Sequence, residues 1–147
     1  DAVDEHGTVE HWSLNGASPI KVASGYALRI PHGRNAQHLL YGRGVLHQRD
    51  SARRIKISCR ASSADGGELQ FCMLRYTDTS DPKAKHGYRR EFHPTEVAGG
   101  FKLTVNMQFC SARYTVRANE WVGLMLFYRH GKGSSCTVDD VAVTVEE

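Results

Sequence analysis

Three carboxylates in this chain stand where a single hard cation would tie its two ends together. Glu10 lies in the run Gly7-Thr8-Val9-Glu10-His11-Trp12, and Asp139 and Asp140 lie inside Cys136-Thr137-Val138-Asp139-Asp140-Val141-Ala142-Val143-Thr144-Val145. The second run reads as a β-strand, because branched residues recur in it at short spacing. An acid side chain in a buried strand is costly unless a partner offsets its charge. If the ends pair, Glu10 and Asp140, with Asp139 as the alternate, offer the oxygen-rich shell that calcium prefers. Carbonyls from a loop such as Ser24-Gly25 would contribute to the same shell. On spacing alone, a salt bridge or a solvated edge position accounts for these acids as well as a metal does.

A second chemistry is carried by tyrosines beside arginines. Aromatic rings stack on the C–H faces of a pyranose, while Arg, Gln, Asn and His bind its hydroxyls. Four groups combine these types: Gln70, Arg75 and Tyr76; Tyr88, Arg89 and Arg90; Tyr128, Arg129 and His130; and Gln37, His38, Tyr41 and Arg43. The pattern predicts an exposed binding face built from Tyr76, Tyr88, Arg90, Tyr128 and Arg129, with Gln70 and His38 as secondary contributors. Strand alternation sends Tyr128 and Arg129 to opposite sides, so at most one of them is central to that face. Trp12, Phe71, Phe109, Trp121 and Phe127 are assigned to the core, since large aromatics fill sandwich interiors.

Positive charge concentrates around the middle of the chain, at Arg43, Arg49, Arg53, Arg54, His86, Arg89, Arg90 and His93. Arginine forks grip carboxylate or sulfate oxygens two at a time, so an anionic polysaccharide suits this cluster. The competing explanation is a charged sheet edge that blocks aggregation. The net charge of +3 is only a mild bias, and no nucleic-acid recognition motif accompanies it. No apolar run is long enough to span a membrane.

Catalysis finds less support. No nucleophile elbow, P-loop, H-E-x-x-H or dinucleotide fingerprint occurs. The eight histidines are scattered, without the pair spacing of a metal site on a strand or a helix. The tight acid pair Asp139-Asp140 has neighbours that should point to opposite faces of a strand, so the two are not expected to flank one cleft.

Strands are the elements that must position these groups. The expected segments are Thr8–Leu14, Ile20–Ala23, Tyr26–Pro31, Gln37–Tyr41, Arg54–Ala61, Glu68–Tyr76, Tyr88–His93, Phe101–Phe109, Arg113–Arg117, Trp121–Arg129 and Thr137–Val145. Turn signals separate them at Asn15-Gly16, Asp65-Gly66-Gly67, Gly99-Gly100 and His130–Ser135. The segment 77–87 is polar and reads as an exposed loop. Many short strands with glycine turns argue for a sandwich or barrel, and the absence of repeats or linkers makes residues 1–147 one domain. Cys59, Cys72, Cys110 and Cys136 fit no zinc spacing; they read as buried free thiols, with two disulfides in any pairing as the alternative.

Several of these pieces resemble one known family. Gly7 to Trp12, the strand Ala27-Leu28-Arg29-Ile30, the stretch Ala112–Val116 and the terminal Val138-Asp139-Asp140-Val141-Ala142-Val143 are similar to motifs of the jelly-roll carbohydrate-binding modules attached to secreted bacterial polysaccharide-degrading enzymes. Val9 stands where that family usually has an aromatic, and Thr137-Val138 where it has an aromatic-aliphatic pair. The resemblance implies an all-β, two-sheet antiparallel sandwich, a structural calcium at Glu10, Asp140 and Asp139, and a polysaccharide or oligosaccharide ligand. It further implies a non-catalytic, monomeric module of a larger secreted or cell-surface enzyme, with no nucleic-acid or membrane partner. The start at Asp1 fits a processed protein or an excised module.

Overall fold

A strand half-buried on one sheet face alternates inward and outward residues, and burial in Arg53–Ser63 does so along its whole length. Ile55, Ile57, Cys59 and Ala61 turn into the core, while Arg54 and Arg60 face solvent. The computed structural model describes residues 12–23, 25–39 and 51–146. They form ten strands: β1 (Trp12–Asn15), β2 (Ser18–Val22), β3 (Gly25–Pro31), β4 (Asn35–Leu39), β5 (Arg53–Ser63), β6 (Glu68–Ser80), β7 (Tyr88–Lys102), β8 (Gln108–Val116), β9 (Trp121–Arg129) and β10 (Ser135–Glu146). Among the described residues there is no helix.

The strands make two five-stranded antiparallel sheets, β1-β4-β9-β6-β7 and β2-β3-β10-β5-β8. Only the β2–β3 and β6–β7 connections stay within one sheet. The other links cross between sheets, which winds the chain into a jelly-roll sandwich, the architecture expected from the sequence. Between the sheets lie Ile30, Ile55, Ile57, Leu69, Phe71, Met73, Leu124, Leu126 and Tyr128, all fully buried.

Three expectations about strand limits change. Residues 77–80, expected in the polar loop 77–87, continue β6 and pair with β7. Gly99-Gly100 is not a turn: β7 runs straight through it, and the chain reverses instead over residues 103–107. Gly99 is needed for close approach, because a Cβ there would come within 2.9 Å of the Ala112 Cβ on β8. The two short segments expected at 101–109 and 113–117 are therefore the end of β7 and a single β8. β7 is an edge strand that carries Pro94 and two register irregularities against β6, features that discourage pairing with another chain.

The four cysteines are free and buried, as the sequence reading favoured. Cys59 and Cys110 face each other across β5 and β8. Burial pushes the Cys136 thiol up to about 12, and contact with Cys110 followed by burial raises that of Cys59. Such thiols are poor nucleophiles.

One end of the sandwich is closed by Asp65 in the β5–β6 turn. Its Oδ1 accepts from the Tyr128 hydroxyl and from Ser63 Oγ, the latter at 2.7 Å, while Oδ2 accepts from the backbone N–H of Lys132 at 2.6 Å and of Ser134 at 3.1 Å. Gly67 has no side chain because a Cβ there would overlap the Tyr128 ring. The hydrogen bonds from Tyr128, then Ser63, hold the Asp65 carboxyl well below its ordinary 3.8. A carboxylate with a depressed folded pKa stabilises the fold above its unfolded value and loses that contribution as pH falls through the folded one. The melting temperature should therefore decline with acidification below about pH 4, and Asp65→Asn should flatten that decline. Parallel acid limbs in the two proteins, measured by thermal denaturation, would show that Asp65 is not its source.

Candidate functional site

Register decides which side chains leave the β1-β4-β9-β6-β7 sheet on its solvent side. In β9, Val122, Leu124, Leu126 and Tyr128 enter the core, so Trp121, Gly123, Met125, Phe127 and Arg129 face outward. Their partners in β6 are Tyr76, Leu74, Cys72, Gln70 and Glu68. From β4 come Asn35 beside Phe127 and Gln37 beside Met125. From β7 come Phe92 beside Tyr76, Arg90 beside Asp78 and Tyr88 beside Ser80. The result is a sheet face that interleaves aromatic and apolar groups with amides and ion pairs.

Its aromatic end is built around Tyr76. The Trp121 ring lies nearly parallel to Tyr76 at 6.5 Å between centroids, and Phe92 is tilted against Tyr76 at 5.8 Å. The Arg90 guanidinium sits 4.3 Å over the Tyr76 ring, a cation–π contact, and also pairs with Asp78 at 3.5 Å. Tyr76 is thus covered, at 4% exposure, and serves to support its neighbours; Phe92 at 78% is the open surface. Trp121 is half-buried beside it.

The amide end lies along the same face. Asn35 Oδ1 accepts from Asn15 Nδ2 at 2.9 Å and from Gln37 Nε2 at 3.3 Å, and Gln70 lies across from Phe127 on the other side. Arg129 Nε donates to Glu68 Oε1 at 2.8 Å. Each arginine that reaches this face from β7 or β9, Arg90 and Arg129, therefore already holds a carboxylate.

Directly beneath the aromatic end, on the inner side of the same strands, is a charge network. Arg75 donates to both oxygens of Glu120, Nε to Oε1 at 3.1 Å and Nη2 to Oε2 at 3.0 Å, and its Nη1 pairs with Glu96 at 2.8 Å. Arg117 holds Glu96 at 2.7 Å, and the Tyr114 hydroxyl donates to Glu96 and Glu120. Burial, then the charge of Glu120, pushes the Tyr114 hydroxyl up to about 12. The Arg117 hydrogen bond keeps the Glu96 carboxyl below its usual range. Arg75 and Glu120 are the sequence neighbours of Tyr76 and Trp121, so the ion pair inside fixes the strand ends that carry the rings outside.

The sequence-based assignments divide accordingly. Tyr76, Arg90, Arg129 and Gln70 share this outer face, and Tyr88 lies at its far end with 43% exposure, near His86. Tyr128 does not belong there: it is fully buried in the core and spends its hydroxyl on Asp65 and Ser63. His38 is also on the inner side, edge-on to Trp12 at 4.9 Å. Three aromatics assigned to the core face outward instead, namely Trp121, Phe127 and Phe109. Tyr41, Arg43 and Arg49 lie outside the described residues.

A second feature occupies the open end between the sheets. Register slips in β10 between Asp139 and Ala142, and Asp140 adopts φ 53. This bulge breaks the alternation, so Asp139 and Asp140, expected to point apart, both line one cavity of about 380 Å³ with Trp12, Gly25, Tyr26 and Leu28. Asp139 Oδ1 also accepts from the Asp140 N–H at 2.9 Å. Glu10 lies outside the described residues, and among those described no three His, Cys, Asp or Glu side chains converge.

No protein-family model and no curated protein sequence matches the chain. Solved structures do. The Clostridium thermocellum xylanase 10B CBM22-1–GH10 modules complexed with xylohexaose match at TM-score 0.62 and 11% identity over 93% of this chain and 26% of that one. The CBM22-1 xylan-binding domain of Paenibacillus barcinonensis Xyn10C matches at 0.59 and 14% over 95% and 88%. The family 11 carbohydrate-binding module of Clostridium thermocellum, in complex with a β-1,3-1,4-mixed-linked tetrasaccharide, matches at 0.56 and 12% over 98% and 97%. The chain has the jelly-roll fold of carbohydrate-binding modules. The likeness to the last two covers 88% and 97% of those chains.

Proposed function

We propose that this domain is a non-catalytic carbohydrate-binding module whose ligand lies along the outer face of the β1-β4-β9-β6-β7 sheet. The observation that carries the reading is the placement of Trp121 and Phe92 beside the amides Asn35, Gln37 and Gln70 on one solvent-facing surface. Rings supply stacking for the sugar's C–H face, and amides supply paired donors and acceptors for its hydroxyls. Because Arg90 and Arg129 are each neutralised by a carboxylate, this face suits an uncharged chain, as xylan and mixed-linked glucan are. Holding an attached enzyme on such a polymer raises its local concentration, which fits a secreted enzyme accessory role. Titration of the domain against xylan, mixed-linked β-glucan and other neutral polysaccharides tests the reading; heat of binding to at least one is expected, and none across the panel would refute it.

The cavity at the open end supports a structural calcium. Asp139, Asp140 and Gly25 line the same space, and two carboxylates with backbone carbonyls are oxygen chemistry suited to a hard cation, with Glu10 as the third proposed ligand. A cation there would tie β10 to the chain's beginning and stabilise the folded state by mass action. Chelation should then lower the melting temperature, and Asp140→Ala should remove the sensitivity. Identical melting curves with and without chelator in metal-free buffer would eliminate the metal.

A further inference from the structure

We infer that the outer face of the opposite sheet, β2-β3-β10-β5-β8, is a second binding surface, for an acidic polysaccharide whose carboxylates or sulfates engage Arg29, Arg54, Lys56 and Arg60. The inference stands apart from the neutral-glycan face. Register places Arg54, Lys56 and Arg60 on the solvent side of β5, with Arg113 directly opposite Lys56 on β8. Arg29 joins them from β3. Like charges opposite one another in a sheet are destabilising; among the described residues Arg113 is answered by Glu146 at 2.8 Å, and Glu146 also stands opposite Arg54 on β10 but pairs with Arg113. Among the described residues Arg29, Arg54, Lys56 and Arg60 hold no carboxylate, and Asp139, the partner of Arg60 across β10, turns its oxygen to the Asp140 N–H. The two faces of the sandwich therefore differ in kind: Arg90 and Arg129 on one are neutralised, and these four cations on the other are not.

Protection of a sheet edge does not account for the arrangement. β8 is the edge, but three of the cations sit on β5, which is paired on both sides, by β10 and β8. A ligand accounts for it better. Along β5 the cations stand about 7 Å apart from Arg54 to Lys56 and about 13 Å apart from Lys56 to Arg60, with Arg113 about 5 Å across from Lys56, a spaced array that fits a chain with repeating charges. Phe109 lies in the same array as the partner of Arg60, exposed by 66%, with Lys56 Nζ at 6.0 Å from its ring centre. Ser58 and Ser111 fill the row between. A ring to stack a sugar, a guanidinium fork for its acid group and hydroxyls for its alcohols thus meet in one place.

Affinity electrophoresis of the domain in polygalacturonate and in dextran sulfate separates the two acid groups, with xylan and a single-stranded oligonucleotide alongside. The expected result is retardation by at least one acidic polysaccharide, lost in about 0.5 M salt. A Lys56→Glu, Arg60→Glu variant should weaken that retention at least about tenfold while leaving neutral-glycan binding intact, and Trp121→Ala should do the reverse. The gentler pair Lys56→Gln and Arg60→Gln serves if the glutamates prevent folding. No retention by either acidic polymer, unchanged retention in the charge variants, or stronger retention by the oligonucleotide would each overturn the inference.

Discussion

Glu120→Ala should destabilise the domain by about 3 kcal/mol, the low end of what removing one partner of a buried ion pair costs. Glu120 is only 3% exposed and accepts two hydrogen bonds from Arg75, whose own side chain is 14% exposed. Without Glu120 the guanidinium stays in place with its Nε and one Nη unanswered. The loss stays near the low end because Glu96 still holds Arg75 Nη1 at 2.8 Å. In a domain of this size about 3 kcal/mol corresponds to a melting temperature lower by about 6–12 °C. Glu120→Gln should lose less, since its amide oxygen still accepts from Arg75. Replacing both partners by apolar residues, Arg75→Met with Glu120→Leu, should lose less than either truncation, because no buried charge is then left alone. Urea unfolding of the set checks the ranking; a loss below about 1 kcal/mol in Glu120→Ala would mean that the network is solvated rather than buried.

That network was invisible in the sequence, and its position explains why. Arg75, Glu96 and the stretch 114–120 that carries Tyr114, Arg117 and Glu120 come from three separate parts of the chain and meet only because β6, β7 and the β8–β9 turn share one end of the sandwich. The fold itself was legible, since turn-punctuated strands with alternating burial leave few architectures, and β5 displays that alternation without a break. The proposed binding face was half legible. Tyr76, Arg90, Gln70 and Arg129, singled out by residue type, do share one outer face, yet in β9 both parities are apolar: Val122, Leu124 and Leu126 on one, Trp121, Met125 and Phe127 on the other. Periodicity cannot rank two apolar faces. The one available signal was Arg129, which shares parity with Trp121 and Phe127 and has no place in a core. The bulge at Asp139-Asp140 was a different kind of miss, because strict alternation was applied to the one point where the strand breaks it. The Gly99-Gly100 error had the opposite origin. In sequence a glycine pair reads as a turn former, whereas β7 needs Gly99 for a close approach to β8.

Removing the exposed rings should abolish most glycan binding without unfolding the domain. Phe92 is the sharper test because at 78% exposure its side chain adds almost nothing to the core, so Phe92→Ala should leave the melting temperature nearly unchanged. Trp121 is half-buried against Tyr76, and Trp121→Ala will cost some stability through that lost contact. A ring pair contributes about 0.5–1.5 kcal/mol beyond area burial, taken here as the scale for a ring against a sugar. Each single variant should then weaken binding by several-fold to about tenfold. The double variant should approach the product of the two, since a sugar chain crossing from β7 to β9 would stack on the rings at separate points. Tyr76→Ala is a poor probe: its ring supports Trp121, Phe92 and Arg90 at once, so lost affinity there would be confounded with a collapsed surface. Tyr128→Phe provides the control on the opposite side of the sheet; it should lower stability through Asp65 and leave affinity alone. Wild-type affinity in both Phe92→Ala and Trp121→Ala, with the fold intact by circular dichroism, would move the ligand off this face altogether.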